Sequence, residues 1–292
     1  MNIFNLPVKA KTALSAAGIL AVYLLIPSLF LMLALTVTLP AGDGAGSSVA
    51  ESLFTVTGCL AAVLLIAGRF RKKGLSLAQA TRLAPLEMSK AAVARILAAG
   101  VGCGVALSAL LSLLPLPARW LESYDALALS AFEGEGRILA VLIITFITPL
   151  SEELIFRGFM LRILLGGFAP RWAVLITAAA FGLCHMHPLW ISYAFLCGLL
   201  LGCLAAGLDN LTASLAFHIG VNLSSLPAIF WRDAPWLARF GASWPLLLLA
   251  LAVGGGGSAF LLIRELKVDL REKWAVISDY LARRGKGALR KT

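Results

Sequence analysis

Charged side chains are scarce in this chain of 292 residues. Only 14% of its residues are Asp, Glu, Lys or Arg, against about 25% in soluble globular proteins, while 60% are hydrophobic and the mean hydropathy is +0.91. This shortage of charge excludes an ordinary soluble globule. We therefore expect an all-α fold, a polytopic membrane helical bundle.

Recognisable soluble-protein motifs are also missing. The five cysteines lie in apolar segments, form no CxxC pair and are odd in number, so no disulfide framework is indicated. The sequence contains no Walker loop, no GxGxxG and no HExxH. None of these signatures can therefore assign a function.

Negative charge is the rarer sign, and the formal net charge is +10. The Lys and Arg residues cluster beside apolar segments and are accompanied by no nucleic-acid-reading motif. Anionic lipid headgroups are the expected partner, and no nucleic acid is expected. The distribution of positive charge between loops predicts that both termini face the cytoplasm.

Long apolar runs predict eight membrane spans, with the count held to within about one. The first run is too long for the apolar core of a removable signal peptide, which covers about 7 to 15 residues. The predicted spans are Thr12 to Gly42, Ser52 to Gly68, Ile96 to Leu116, Ile138 to Leu165, Trp172 to Met186, Leu189 to Gly207, Thr212 to Pro227 and Trp244 to Ile263.

A single domain is expected, because no linker long enough to separate two domains is present. Residues 1–263 would form the transmembrane bundle, with the chemically interesting motifs in residues 138–227. Residues 264–292 carry apolar side chains at helical spacing among basic ones, which predicts an amphipathic cytoplasmic tail on the inner leaflet. The short loops and compact length favour a multi-pass protein of a bacterial plasma membrane.

Two adjacent carboxylates, Glu152 and Glu153, stand in the fourth predicted span, where charge is costly and rarely without a role. We expect their helix to begin near Thr148 and Pro149, since proline suits a first helical turn. Glu153 and Arg157 are four residues apart and can pair on one face, whereas Glu152 points about 100° away. Glu152 would then remain available for proton transfer. Alternatively, both acids belong to a buried ion network.

Imidazoles and an amide lie in later apolar segments. His185 follows Phe181 by one helical turn, so the aromatic ring can orient the imidazole. His187 adjoins a proline and is the less favoured of the two histidines. His218 and Asn222 share one helical face, and both can donate hydrogen bonds to a developing oxyanion. A polar residue in a membrane helix often serves only to hydrogen-bond a neighbouring helix. Each cluster taken alone is consistent with that structural role.

A zinc site is the second chemical reading of these clusters. Glu152, His185 and His218 would supply two imidazoles and one carboxylate, with the fourth position open to water. The sequence therefore assigns no cofactor, and zinc is the alternative.

Taken together, the three clusters resemble the CPBP family of intramembrane proteases, named for CAAX prenyl proteases and bacteriocin processing. The resemblance covers about the second half of the chain. It rests on three motifs in order: Glu152-Glu153-x-x-x-Arg157, Phe181-x-x-x-His185 and His218-x-x-x-Asn222.

The resemblance implies a membrane endopeptidase, a hydrolase that cleaves a peptide bond of a membrane-associated protein or peptide. Glu152 and His185 would activate a water, and His218 and Asn222 would stabilise the oxyanion. The resemblance leaves glutamic and metal-dependent mechanisms open, and a prenylated substrate is less expected than a small peptide or a membrane-anchored protein. The functional alternatives are a non-catalytic scaffold, a bacteriocin-immunity factor or a proton-coupled transporter.

Overall fold

The computed structural model describes residues 6–38, 45–83, 88–130, 132, 136–231 and 233–267. No side chain is described for residues 37–38, 45–52, 125 and 127–130. Across these ranges the regular structure is helical and contains no strand.

The helices follow one another with short connections, and several begin where the sequence supplies a cap or a proline. Ser89 and Asn210 accept backbone N–H groups as N-caps, and Pro170 and Pro188 occupy first helical turns. In chain order the described helices are α1 (Val8–Thr38), α2 (Ala45–Arg71), α3 (Leu77–Thr81), α4 (Lys90–Leu113), α5 (Ala118–Ser130), α6 (Arg137–Leu165), α7 (Pro170–Leu183), α8 (Pro188–Gly207), α9 (Leu211–Leu223), α10 (Leu226–Phe230), α11 (Pro235–Ala242) and α12 (Trp244–Lys267).

Seven helical segments of the described chain are long and apolar enough to cross a membrane. The fifth predicted span, Trp172 to Met186, is not among these seven and corresponds to α7, which has 14 residues. At about 1.5 Å per residue it reaches about 21 Å, less than the roughly 30 Å of a bilayer core. The prediction of an all-α, polytopic membrane bundle is confirmed, and the chain is a multi-pass membrane protein.

Helix α6 differs from the expectation in one respect. It does not begin near Thr148 and Pro149 but runs without interruption from Arg137 to Leu165. Two stretches of wide, π-type turns, Ile143–Ile147 and Leu154–Met160, accommodate the proline and the bulky residues that follow. The wide turn matters because it changes which backbone carbonyl the proline leaves without a partner.

Helix α6 passes through the centre of the bundle, and every residue from 151 to 161 is buried. Helices α1 and α2 pack against each other on one side, and α4 packs against α9 on another. The α4 and α9 backbones touch at glycines. A Cβ on Gly100 would overlap the Phe217 carbonyl oxygen, and one on Gly220 would overlap the Leu97 carbonyl oxygen. This close approach fixes the position of α9 beside α6.

The last helix continues slightly beyond its predicted end. It runs to Lys267, so residues 264–267 of the predicted tail extend the helix. There Glu265 binds Arg95 of α4, with 2.5 Å between Arg95 Nε and Glu265 Oε1. The rest of the predicted amphipathic tail, residues 268–292, lies outside the described residues.

Candidate active site

Glu153 and Arg157 form the predicted ion pair across one turn of α6. Arg157 Nη1 donates to Glu153 Oε1 at 2.8 Å, and neither side chain has any exposed surface. Arg157 also donates to the Gly198 carbonyl oxygen at 3.3 Å, and its guanidinium carbon lies 4.3 Å from the centre of the Phe181 ring. A buried ion pair of this kind is stable only while both partners remain. It therefore fixes α6 against α7 and α8.

Glu153 has further donors from α9, the helix that carries the third motif. His218 Nδ1 lies 3.0 Å from Glu153 Oε1, and the Ser214 hydroxyl donates to Glu153 Oε2. Because a carboxylate only accepts, Nδ1 of His218 carries a proton. With Arg157, His218 and Ser214 as donors, Glu153 is fully occupied and acts as the anchor of the cluster. Sequence reasoning missed Ser214, since no local pattern distinguishes it from an ordinary serine between helices.

Glu152 is placed differently from its neighbour. It keeps 8% of its surface exposed and has no arginine partner among the described residues. The Tyr23 hydroxyl of α1 donates to Glu152 Oε1 at 3.3 Å, and Glu152 Oε2 lies 3.7 Å from His218 Nε2. His218 therefore stands between the two glutamates, bonded to Glu153 through one nitrogen and facing Glu152 with the other.

Tyr23 was not singled out from the sequence. It stands 129 residues before Glu152 in a uniformly apolar span, and no local spacing relates the two. The one signal in the sequence is that a tyrosine inside a membrane span needs a hydrogen-bond partner for its hydroxyl.

His185 lies at the end of α7, where its Nδ1 is 2.9 Å from the Phe181 carbonyl oxygen. Since a carbonyl only accepts, Nδ1 carries the proton and a neutral His185 has its lone pair on Nε2. The Phe181 ring lies edge-on to both imidazoles, 4.9 Å from His185 and 5.8 Å from His218 between ring centres. The expected packing of Phe181 beside His185 is thus present, and Phe181 contacts both imidazoles.

Asn222 satisfies a carbonyl that proline leaves free. In the first wide turn of α6 a carbonyl pairs with the amide five residues on, as Ile143 does with Thr148. The next such amide would be Pro149, which has no N–H to offer Ile144. Asn222 Nδ2 donates to the Ile144 carbonyl oxygen instead, at 2.8 Å. An amide nitrogen has two N–H groups, so a second donor of Asn222 remains.

A cavity of about 230 Å³ lies near Glu152, which does not line it itself but is bonded to one of its lining residues, Tyr23. Its walls include Tyr23, Ser151, Cys59 and Cys184, contributed by α1, α6, α2 and the end of α7. A water occupies about 30 Å³ in the liquid, so the cavity has room for several waters or for one small side chain. Hydroxyl and thiol groups line part of it, which makes it suitable for water at this depth.

The proposed zinc ligands do not form a three-ligand group. Among the described residues no set of three or more His, Cys, Asp or Glu side chains is arranged to hold a metal ion. Glu152 and His218 approach each other, whereas His185 uses its Nδ1 on the Phe181 carbonyl oxygen and completes no such set with them. The donor set therefore comprises two of the three protein ligands that a catalytic zinc site needs.

His187 belongs to a different part of the fold. Its Nε2 lies 2.9 Å from the Ser123 hydroxyl of α5, and its ring packs against Trp190. The structure brings Glu152, Glu153, Arg157 and His218 into one cluster. His185 joins that cluster through Phe181, and Asn222 joins it through the backbone of α6.

Comparison with known proteins identifies this same part of the chain. Residues 134–224 match the Rce1-like family model, described as type II CAAX prenyl endopeptidase Rce1-like. The matched segment is less than half of the chain and contains Glu152, His185, His218 and Asn222. The resemblance to the CAAX prenyl protease and bacteriocin-processing family is confirmed, and the family suggests an intramembrane endopeptidase with a membrane-associated peptide substrate. No curated protein and no solved structure matches the chain.

Proposed function

We propose that this chain, with its Rce1-like segment at residues 134–224, is a glutamic-type intramembrane endopeptidase that uses Glu152 as its catalytic acid and base. The observation that carries the proposal is the unequal placement of two neighbouring acids. Glu153 is enclosed by an arginine, an imidazole and a hydroxyl, whereas Glu152 stands beside a cavity with a phenol and an imidazole as neighbours. A scaffold has no physical need for an acid left without a cation.

Water activation is the first step. Glu152 takes a proton from a water in the adjacent cavity, and the resulting hydroxide attacks the carbonyl carbon of the scissile peptide bond. The π electrons of that carbonyl move onto its oxygen. His185 supports the step with its Nε2 lone pair, which can accept the second hydrogen of the water and orient it.

The second step is stabilisation of the tetrahedral oxyanion. His218 Nδ1 is bonded to Glu153, so Nε2 is the atom that can donate to substrate once the imidazole carries two protons. Glu153 holds the imidazole in this orientation, in the manner of the acid that orients a catalytic histidine. Asn222 adds its second amide N–H. Glu152 is protonated at this stage, so Arg157 and the imidazolium balance the negative charges of Glu153 and the oxyanion.

Collapse of the intermediate completes the reaction. Glu152 returns its proton to the nitrogen of the leaving amine, the C–N bond breaks, and the carbonyl forms again as part of the new carboxyl terminus. Glu152 ends as a carboxylate, as it began. The substrate is a membrane-associated protein or peptide.

The experiment compares membrane proteomes of cells that carry the wild-type chain or the Glu152→Gln variant at equal abundance. A new peptide terminus found only with the wild-type chain is the expected result. If the two proteomes share all termini while the variant keeps the cellular phenotype, the chain acts without catalysis, as a scaffold or immunity factor. Proton flux in vesicles that depends on Glu152 would indicate a transporter. Loss of cleavage on chelation, restored by zinc, would favour the metal-dependent mechanism.

A further inference from the structure

A second and larger cavity lies away from the catalytic cluster. It is a groove of about 740 Å³ between the first half of α1, the end of α2 and the end of α6. Its residues differ from those of the cavity beside Glu152, and the proposed chemistry uses none of them.

Positive charge surrounds one end of the groove. Four basic side chains from three helices line it, and no carboxylate does so within the described part of the chain. They are Lys11 of α1, Arg69 at the end of α2, Lys73 just beyond it, and Arg162 of α6. Arg162 is held in place by Asp209 and by the Ala205 carbonyl oxygen. The mouth of the groove is therefore basic, although Asp209 partly offsets the charge of Arg162.

The rest of the groove is apolar and has the length of one membrane leaflet. Its lining continues along α1 from Lys11 to Val22, a rise of about 16 Å, close to half of the roughly 30 Å hydrocarbon core. Ile19 and Phe70 are among its walls. Gly18 leaves the floor open, since a Cβ added there would meet nothing within 4 Å.

We propose that this groove binds one anionic diacyl phospholipid, with its phosphate among the four basic side chains and an acyl chain lying over Gly18. Charge complementarity and length together identify the occupant. A soluble anion would use the basic mouth and leave an apolar slot of leaflet length unfilled. A neutral lipid would fill the slot but bring no anionic phosphate to the basic mouth.

Binding at this groove would reach the catalytic cluster through α1. Val22 lines the groove, and the next residue, Tyr23, donates to Glu152. A lipid wedged between α1, α2 and α6 stabilises the folded bundle by mass action and holds Tyr23 against the site. The proposal itself concerns binding and does not depend on the assigned peptidase activity.

The first test separates a built site from diffuse attraction to the membrane. Purified full-length protein is titrated with phosphatidylglycerol or phosphatidylcholine, and bound lipid is counted by native mass spectrometry. We compare Arg69→Gln/Lys73→Gln with Arg71→Gln/Lys72→Gln, which removes the same charge from the same helix end but does not touch the groove. The groove pair should weaken phosphatidylglycerol binding by about thirtyfold, and the control pair by less than about twofold. Equal losses in both pairs, or equal binding of phosphatidylcholine, would overturn the proposal.

The second test fills the acyl slot. Gly18→Phe places a ring in the groove, whereas Gly68→Phe places one on α2 outside it, and a Cβ meets nothing within 4 Å at either glycine. Both variants should unfold at the wild-type temperature without added lipid. Gly18→Phe alone should lose the bound phosphatidylglycerol and the thermal stabilisation that this lipid gives. Retained lipid in Gly18→Phe contradicts the proposal, and so does inorganic phosphate that competes at the lipid's own concentration.

Discussion

His218 and Glu153 are joined across the bundle, with His218 Nδ1 3.0 Å from Glu153 Oε1, and the same carboxylate is held by Arg157. The motif of His218 and Asn222 is thus bound to the first motif through Glu153, the glutamate that takes no part in proton transfer. Glu153 fixes which nitrogen of His218 faces Glu152. Substitution of Glu153 should therefore mainly reduce stability, and substitution of Glu152 should mainly reduce catalysis.

Glu153→Gln should destabilise the protein far more than Glu152→Gln does. The first change leaves Arg157 as a buried charge without its counter-ion, which costs about 3 to 5 kcal/mol. The second removes a charge that has no arginine partner among the described residues and keeps an amide oxygen that can accept the Tyr23 hydroxyl. Thermal unfolding of both variants in one detergent measures the difference. Glu153→Gln/Arg157→Gln removes both charges and should recover part of the loss; equal stability of Glu153→Gln and wild type would refute the anchoring role.

Tyr23→Phe should slow hydrolysis by up to about tenfold and leave the unfolding temperature near that of wild type. The phenol supplies one hydrogen bond to Glu152, and such a bond contributes about 0.5 to 1.5 kcal/mol. Initial rates under single-turnover conditions give the effect on the chemical step. Tyr193→Phe, which removes a phenol hydroxyl from α8, is the matched control. If Tyr23→Phe cleaved as fast as Tyr193→Phe, Tyr23 would have no role in the chemical step.

Asn222→Ala should lose rate by about a hundredfold, the usual effect of removing one oxyanion donor, and should also lose stability. The stability loss has a separate cause, because the Ile144 carbonyl would be buried without a partner, at a cost of about 1 to 3 kcal/mol. Pro149→Ala restores an N–H that can reach that carbonyl.

The double variant Pro149→Ala/Asn222→Ala therefore distinguishes the two roles of Asn222. Its unfolding temperature should return toward that of wild type, while its rate should stay as low as that of Asn222→Ala. Recovery of both properties together would mean that Asn222 only caps the backbone of α6 and donates nothing to substrate.

Gly220→Ala should reduce stability and activity together. Its added methyl group would meet the Leu97 carbonyl oxygen, so α9 must move away from α4 and carry His218 with it. Overpacking of this kind costs about 1 to 3 kcal/mol. Gly68→Ala has open space around its Cβ and should leave both properties unchanged. Normal activity in Gly220→Ala would show that the site tolerates displacement of α9.

Sequence patterns were sufficient for the helices and for the pairs within one helix. Hydropathy identified the spans because a membrane demands long apolar runs, and spacing identified the contacts of Glu153 with Arg157 and of Phe181 with His185 because both pairs are four residues apart. Roles for Glu152, His185, His218 and Asn222 came from the family resemblance, and they stay predictions.

Contacts between helices that are distant in the chain could not be predicted from the sequence. Nothing local relates Tyr23 to Glu152, or Ser214 to Glu153, since such pairs depend on how whole helices pack. Pro149 was expected to start a helix, as proline usually does. It lies inside one because Asn222, on another helix, takes the role of the missing N–H donor to Ile144.

The most direct test of the central claim is the rate of peptide-bond cleavage by the Glu152→Gln protein. Wild type and variant are reconstituted into vesicles with a substrate identified from the proteome comparison, and equal unfolding temperatures establish that both are folded. We expect Glu152→Gln to cleave the substrate no faster than the reaction without enzyme. Cleavage at the wild-type rate would show that Glu152 is not the catalytic acid and base.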